Sequence, residues 1–425
     1  MGRFTLKGKV IIAGLILSLG LFLTFLIVIN NRKKIEGEIN LVINSSNSKY
    51  DNFSENILKS YSYKSDKRVK ITTSVKNESN YLGYINKSFL LENSEDIFYT
   101  VFSSQLYNSL REKSGLRYFD NYITEDLVKP FYTLSMDSSS YFYIPITWSP
   151  WGIYYNKEIF KEYNLKEPST LDELDTLCAK MLDYNITPFS MLQDLKWPIT
   201  AWFDYLNIRL NGIQFHKNLL NGLIEFTDQR VLQTYERLYL LINKGYFYFD
   251  DSIEWTEMLK QIDSRETAMV LGGAFYYENA SEKLKKNLGW FPFPLVDVGE
   301  SYNEIISSSG FVGKTVAGVN EDVFEDFYKY ALSEGGQNIV VNYSNLYPIN
   351  EKSLNKLNRE DLNKAYTHIK NSTSLTSSFE RNSNETIIQP LKWSISSLFN
   401  ISDKEEIKVI LSKLEEIRIS SLKLE

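Results

Sequence analysis

The 425-residue chain has little of the material from which covalent and metal chemistry is built. Its one cysteine, Cys178, excludes an intrachain disulfide and a cysteine-based metal cage. Only two histidines are present, His216 and His368, which leaves little for a zinc site or for histidine-assisted nucleophilic catalysis. Excess positive charge is lacking as well. Lys and Arg number 47 against 53 Asp and Glu, a formal charge of −6, whereas a nucleic-acid-binding surface needs concentrated Lys and Arg. The glycine pair Gly272-Gly273 is not followed by Lys-Ser/Thr, so a phosphate-binding loop is disfavoured. A glycosidase needs two carboxylates flanking a bond, and no such pair stands out among the many Asp and Glu. No internal repeat and no low-complexity block is visible.

What is present describes a folded protein. Hydrophobic residues make up 43% of the chain and charged residues 24%, the balance of a globular sequence. The length exceeds one ordinary core and predicts two lobes. Aromatics are abundant, with 29 Tyr, 25 Phe and 7 Trp. A compositional bias that also enriches Asn, Lys and Ile accounts for much of the Tyr and Phe, but not for where the tryptophans fall.

Val10 to Ile29 is a 20-residue apolar run, roughly 30 Å long as a helix and so matched to a bilayer core. Basic residues flank it on both sides, Arg3, Lys7 and Lys9 before and Arg32, Lys33 and Lys34 after. The run is long for a signal peptide and no Ala-x-Ala-like cleavage site follows, so an uncleaved N-terminal membrane anchor is the expectation.

Beyond it, Ile39 to Asn44 and Val69 to Val75 read as strands, and Phe53 to Tyr61 has helical spacing. Tyr141 to Phe160 is an aromatic run interrupted by Pro145, Pro150 and Gly152. The prolines predict two strands, one ending near Pro145 and one through Gly152 to Tyr155, with Trp148 and Trp151 in an irregular link. Asn156 is placed to cap the helix that follows. Thr170 with Glu173 forms a capping box, and the apolar series Leu171, Leu174, Leu177, Cys178 and Met181 behind it makes Cys178 a core residue. Asn221-Gly222 and Thr227-Asp228 are expected to bracket a short strand before a helix from Val231 to Asn243. A short buried strand then delivers Gly272 and Gly273, followed at once by Phe275 and Tyr276. Glu321 to Leu332 and Ile407 to Ile419 read as amphipathic helices.

Several of these stretches resemble the extracellular solute-binding proteins of family 1, the maltose-binding-protein-like components of sugar-importing ABC transporters. The carriers of the resemblance are Tyr143, Pro145 and Tyr154-Tyr155-Asn156-Lys157, then Pro168-Ser169-Thr170 with Glu173, and Glu266, Ala268, Met269, Gly272 or Gly273 with Phe275 or Tyr276. Leu288 to Pro294 and Ser333 to Gln337 complete the ordered series. The resemblance implies an α/β, two-lobed periplasmic-binding-protein-like fold of type II with three interlobe crossings, preceded here by an N-terminal transmembrane helix. The crossings are expected at Tyr143 to Lys157, at Ser307 to Gly313 and at Tyr347-Pro348. Residues 1–34 would be the anchor, 35–144 with 306–346 the first lobe, and 145–305 with 347–425 the second.

The function implied is the extracellular substrate-binding component of an ABC importer, not an enzyme, that binds an oligosaccharide in the interlobe cleft and delivers it to the permease. The protein is expected to be a cell-membrane-anchored monomer with its main domain outside and no cofactor, metal or nucleic-acid partner. The candidate ligand-binding residues are Ser45, Asp96, Trp148, Trp197, Arg209, Trp255, Gly273, Phe275, Tyr276 and Ser309. Asp96 has an equal reading as a strand-start residue. Trp202 is expected in the core, and whether Trp148 and Trp151 hold sugar or pack the hinge is open. Two departures from the family matter. No cysteine follows the apolar run for lipid attachment, and Phe275 stands where relatives carry Trp. Together they raise an alternative, a membrane-anchored sugar sensor or accessory protein that retains the binding fold.

Overall fold

The computed structural model describes residues 36–422 apart from 45–51, 65–67, 77–80, 92–96, 112, 121–122, 135–140, 193–196, 251–254, 315–320, 344–345, 355–359 and 384. The apolar run Val10 to Ile29 and its expected anchor therefore lie outside the described residues. Among the described residues, no helix is long and apolar enough to cross a membrane.

In chain order the strands are β1 (Glu36–Asn44), β2 (Arg68–Lys76), β3 (Ile97–Val101), β4 (Tyr143–Asn156), β5 (Thr187–Leu192), β6 (Phe247–Asp250), β7 (Thr267–Gly273), β8 (Leu288–Phe291), β9 (Asn303–Gly313), β10 (Tyr347–Pro348) and β11 (Ser374–Thr376). They join in the order β2-β1-β3-β9-β4-β7-β5-β6, with β8 and β10 pairing β4 and β11 pairing β9. Helices fill the connections, so the fold is α/β with a mixed sheet. At one end β1 runs parallel to β2 and β3. At the other β5 runs parallel to β6 and β7. These parallel segments are covered on their faces, as their apolar runs require.

The prolines of β4 do not divide it. Tyr143 to Asn156 is one continuous strand, buried throughout, in place of the two strands and link that the sequence suggested. Its first part pairs antiparallel with β9 as far as Pro150, and its second pairs with β7 from Trp151 and with β8 from Ile153. The register shifts between Pro145 and Thr147, and Pro150 sits where the strand exchanges one partner for the others. A residue without an N–H is tolerated at such irregular places. Trp148 and Trp151 accordingly lie within the strand.

The expected strand between Asn221 and Asp228 is absent; these residues form turns. Asn221 and Gly222, the latter at φ +73°, close the preceding helix Ile213–Leu220. The Asn-Gly signal belongs to a helix C-terminus here. Asp228 then caps the helix Gln229–Asn243 through the Arg230 N–H.

Core packing links the two ends of the sheet. One cluster runs from Ile39 and Leu41 on β1 through Trp148 and Tyr154 on β4 to Trp290 on β8. A second surrounds Trp202, Phe203 and Tyr205 and includes Trp151 and Ile153 of the same β4. Cys178 is 1% exposed within it, and burial pushes its thiol well above the usual range. It is a packing residue, as its helical spacing predicted.

Candidate binding site

Where β4 leaves β9 for β7, the sheet opens into a cavity of about 370 Å³. Thr147, Trp148, Ser149 and Trp151 of β4 lie beside Ser307, Ser308 and Ser309 of β9. Antiparallel pairing sets Thr147 opposite Ser309, Trp148 opposite Ser308 and Ser149 opposite Ser307. Tyr99 and Val101 at the end of β3 line the cavity too, so strand ends converge here as they do around ligands in open α/β sheets.

An aromatic wall is assembled from three separate elements. Phe275 follows β7 directly, Trp197 begins the helix Trp197–Asn211, and Trp255 precedes the helix Glu257–Ser264. Phe275 is edge-on to Trp255 at 5.5 Å and 86°, to Trp197 at 5.6 Å and 74°, and to Trp151 at 6.1 Å and 76°. Such T-shaped pairs place a ring edge against a ring face, the favoured aromatic geometry. Close backbone approach supports the wall. A Cβ on Gly273 would lie 2.8 Å from both the Phe275 ring and Ser149 Oγ, so a larger residue there would displace the wall or the serine. Ser149 Oγ accepts the Ala274 N–H at 2.6 Å, which ties the wall to β4.

Hydroxyls supply the polar complement. Ser308 donates to the Thr147 carbonyl at 2.9 Å, while Ser307 accepts the Trp151 indole N–H at 3.4 Å. A hydroxyl carries one donor and two acceptor positions, so these serines keep capacity for a ligand. Trp148 is fully buried, yet it contributes to the cavity. Its indole N–H reaches the Pro348 carbonyl at 3.0 Å and its ring lies 4.5 Å from Tyr347, both on β10. It fastens β10 to β4 while presenting part of its surface to the cavity. The volume, and the mixture of apolar surface with a few polar groups, are those of a small-molecule site.

Of the ten candidates, Trp148, Trp197, Trp255, Phe275 and Ser309 line this cavity. Gly273 and Tyr276 stand behind the wall; Tyr276 is fully buried, with its ring 4.7 Å from that of Phe275. Ser45 and Asp96 lie outside the described residues. Arg209 does not line the cavity. Its guanidinium pairs with Glu304 at 2.8 Å, both side chains being almost wholly buried, and donates to the carbonyls of Phe293, Pro294 and Asn303. The Tyr205 hydroxyl and His368 Nε2 complete the surroundings of Glu304, each at 3.0 Å. This saturated network holds β9 to the helix Trp197–Asn211. Trp202, 1% exposed, packs edge-on against Phe189, Phe247 and Phe293 in the core.

Sequence reasoning missed Ser378, Glu380 and Arg381, which line the cavity from a short segment after β11. No periodicity or motif marks them. Among the described residues, no group of His, Cys, Asp and Glu is arranged to hold a metal ion.

A family model described as bacterial extracellular solute-binding protein matches residues 83–338, more than half of the chain. An uncharacterised ABC transporter extracellular-binding protein of Pyrococcus horikoshii is 27% identical over 186 residues, which cover 41% of this chain and 42% of that protein. A multiple sugar-binding protein of Streptococcus mutans is 30% identical over 95 residues, 22% of each chain. The matched region thus spans well under half the length of these relatives. Among solved structures, the bacterial solute receptor AcbH, described as having an exclusive preference for β-D-galactopyranose, superposes with a TM-score of 0.78 at 17% identity, over 90% of this chain and 98% of that one. A binding protein of Bacillus subtilis in an open conformation gives a TM-score of 0.72 at 15% identity, over 91% and 99%. At such identities the superpositions speak for the fold, an α/β mixed sheet of the type II solute-binding kind. The chain belongs to the bacterial extracellular solute-binding protein family, whose members are non-enzymatic components of transport.

Proposed function

We propose that this protein is the extracellular substrate-binding component of an ABC importer and takes a carbohydrate in the cavity beside β4. The observation that carries this reading is the wall of Trp151, Trp197, Trp255 and Phe275 facing a serine-rich strand pair. A sugar face exposes C–H bonds of partial positive charge, which suit the negative face of an aromatic ring. The hydroxyls at the ring edge need hydrogen-bond partners, which the Thr147, Ser149 and Ser307 to Ser309 stretch is placed to supply. The lobes are taken as 35–144 with 306–346 and 145–305 with 347–425. The ligand bridges them and stabilises the closed form only through contacts that the open form lacks, and the closed surface is what the permease recognises. The run Val10 to Ile29 holds the protein at the outer face of the membrane.

The test is a thermal-shift screen of the full chain against mono- and oligosaccharides. A bound sugar raises Tm by mass action, and Trp197→Ala and Phe275→Ala each weaken binding about tenfold, ~1.4 kcal/mol. A shift with peptides or polyamines and with no sugar would remove the carbohydrate reading. The lack of a lipidation cysteine after Val10 to Ile29 favours, as a second reading, a membrane-anchored sugar sensor. Ligand-dependent stimulation of a permease ATPase in reconstituted vesicles decides for transport; its absence decides for sensing.

A further inference from the structure

The cavity contains a cation that is unpaired among the described residues. Arg381 lines it from the short helix Phe379–Asn382. That helix is secured on several sides. The Phe379 N–H donates to Asp204 Oδ2 at 3.0 Å, Asn382 donates to the Ser377 carbonyl at 2.7 Å, and the Ser104 hydroxyl donates to Asn382 Oδ1 at 3.1 Å. The backbone that carries Arg381 is therefore fixed before any ligand arrives. Glu380, its neighbour in sequence, also faces the cavity but forms an ion pair with Lys392. Among the described residues, the Arg381 guanidinium has no hydrogen-bond or ion-pair partner. Arg209 is the contrast, with one carboxylate and three carbonyls around it.

A guanidinium offers five donors in a rigid planar fork. Removing it from water without partners is costly, and here burial does hold Arg381 below its usual range, with Glu380 and the Tyr143 phenol acting the other way. Neutral hydroxyls satisfy such a group weakly; a carboxylate satisfies it with two parallel charge-assisted bonds, each roughly twice as strong as a neutral one. Charge balance narrows the choice further. With Glu380 matched by Lys392, a single positive charge remains among the described lining residues, at Arg381, and one carboxylate neutralises it. A phosphate, at about −1.5 to −2, would leave an excess.

We infer that the ligand is an acidic saccharide, a uronate whose carboxylate is taken by Arg381 while the aromatic wall holds the sugar. This rests on the carbohydrate reading above. Calorimetry on the full chain at low salt, with galacturonate and glucuronate oligosaccharides and their neutral galactose and glucose counterparts, tests it. The acidic series binds at least about tenfold tighter than the neutral series. Arg381→Gln abolishes that preference, the acidic series losing at least about tenfold more affinity than the neutral series, and Arg381→Lys, which keeps the charge without the fork, restores only part of it. Equal or tighter binding of neutral sugars, or an acidic preference that survives Arg381→Gln, overturns the assignment and leaves the carbohydrate reading standing. Failure of both series to bind overturns both.

Discussion

Gly310 shows how tightly the residues beneath the cavity are packed. It pairs with Pro145 across β4 and β9, and a Cβ there would sit 2.0 Å from the Ile144 carbonyl oxygen and 2.8 Å from Pro145 Cα. Both obstacles are backbone, so a side-chain rotation cannot relieve them. Gly310→Ala is expected to cost about 3 kcal/mol, the upper part of the overpacking range, read from denaturant unfolding; a loss under about 0.5 kcal/mol would mean that the strands separate freely. Arg209 marks the limit of single-residue reading. It stands beside Trp197 among the candidate ligand-binding residues, but at about 100° per residue twelve positions put it roughly 120° round the helix. Its true partner, Glu304, lies 95 residues away. Nothing local announces a buried acid at that separation. Arg381 was illegible for the same reason.

At the scale of single elements, the sequence was most legible where the controlling interactions are local. The Thr170–Glu173 capping box is formed reciprocally: Thr170 Oγ1 accepts the Glu173 N–H at 3.2 Å and Glu173 Oε2 accepts the Thr170 N–H at 3.4 Å. Asn156 likewise caps its helix through the Glu158 N–H at 2.9 Å. Thr170→Ala is expected to lower stability by about 1 kcal/mol, with little effect on ligand affinity because the helix Leu171–Asp183 does not line the cavity. Equilibrium denaturation paired with a binding titration separates the two effects. Strands were harder. The prolines of β4 are breakers only if the strand is regular and central, and neither the register shift at Pro145 nor the exchange of partners after Pro150 is written nearby. The Asn221-Gly222 signal was real, but a helix end used it. Of the five site candidates that line the cavity, Trp197, Trp255 and Phe275 stand at element ends, where clefts form, whereas Trp148 and Ser309 lie within β4 and β9.

For the molecule as a whole, β4 and β9 join the two ends of the sheet, and one apolar cluster continues from β1 to β8. Neither half can expose its share of that cluster and remain folded. The described domain is therefore expected to unfold in a single transition, with tryptophan fluorescence and far-UV circular dichroism coincident; two resolved transitions would show the halves to be independent. The pairing of β4 with β9 also governs time. Ser308 meets Thr147 across 161 residues of chain, and contacts so remote in sequence form slowly because a long loop must close before they are rewarded. The cavity draws on β3, β4, β9 and the segment after β11, so it cannot exist until nearly the whole chain has assembled. A ligand taken in this cavity, as proposed, is recognised only by completed molecules, and its presence during refolding stabilises the end state without accelerating the path to it.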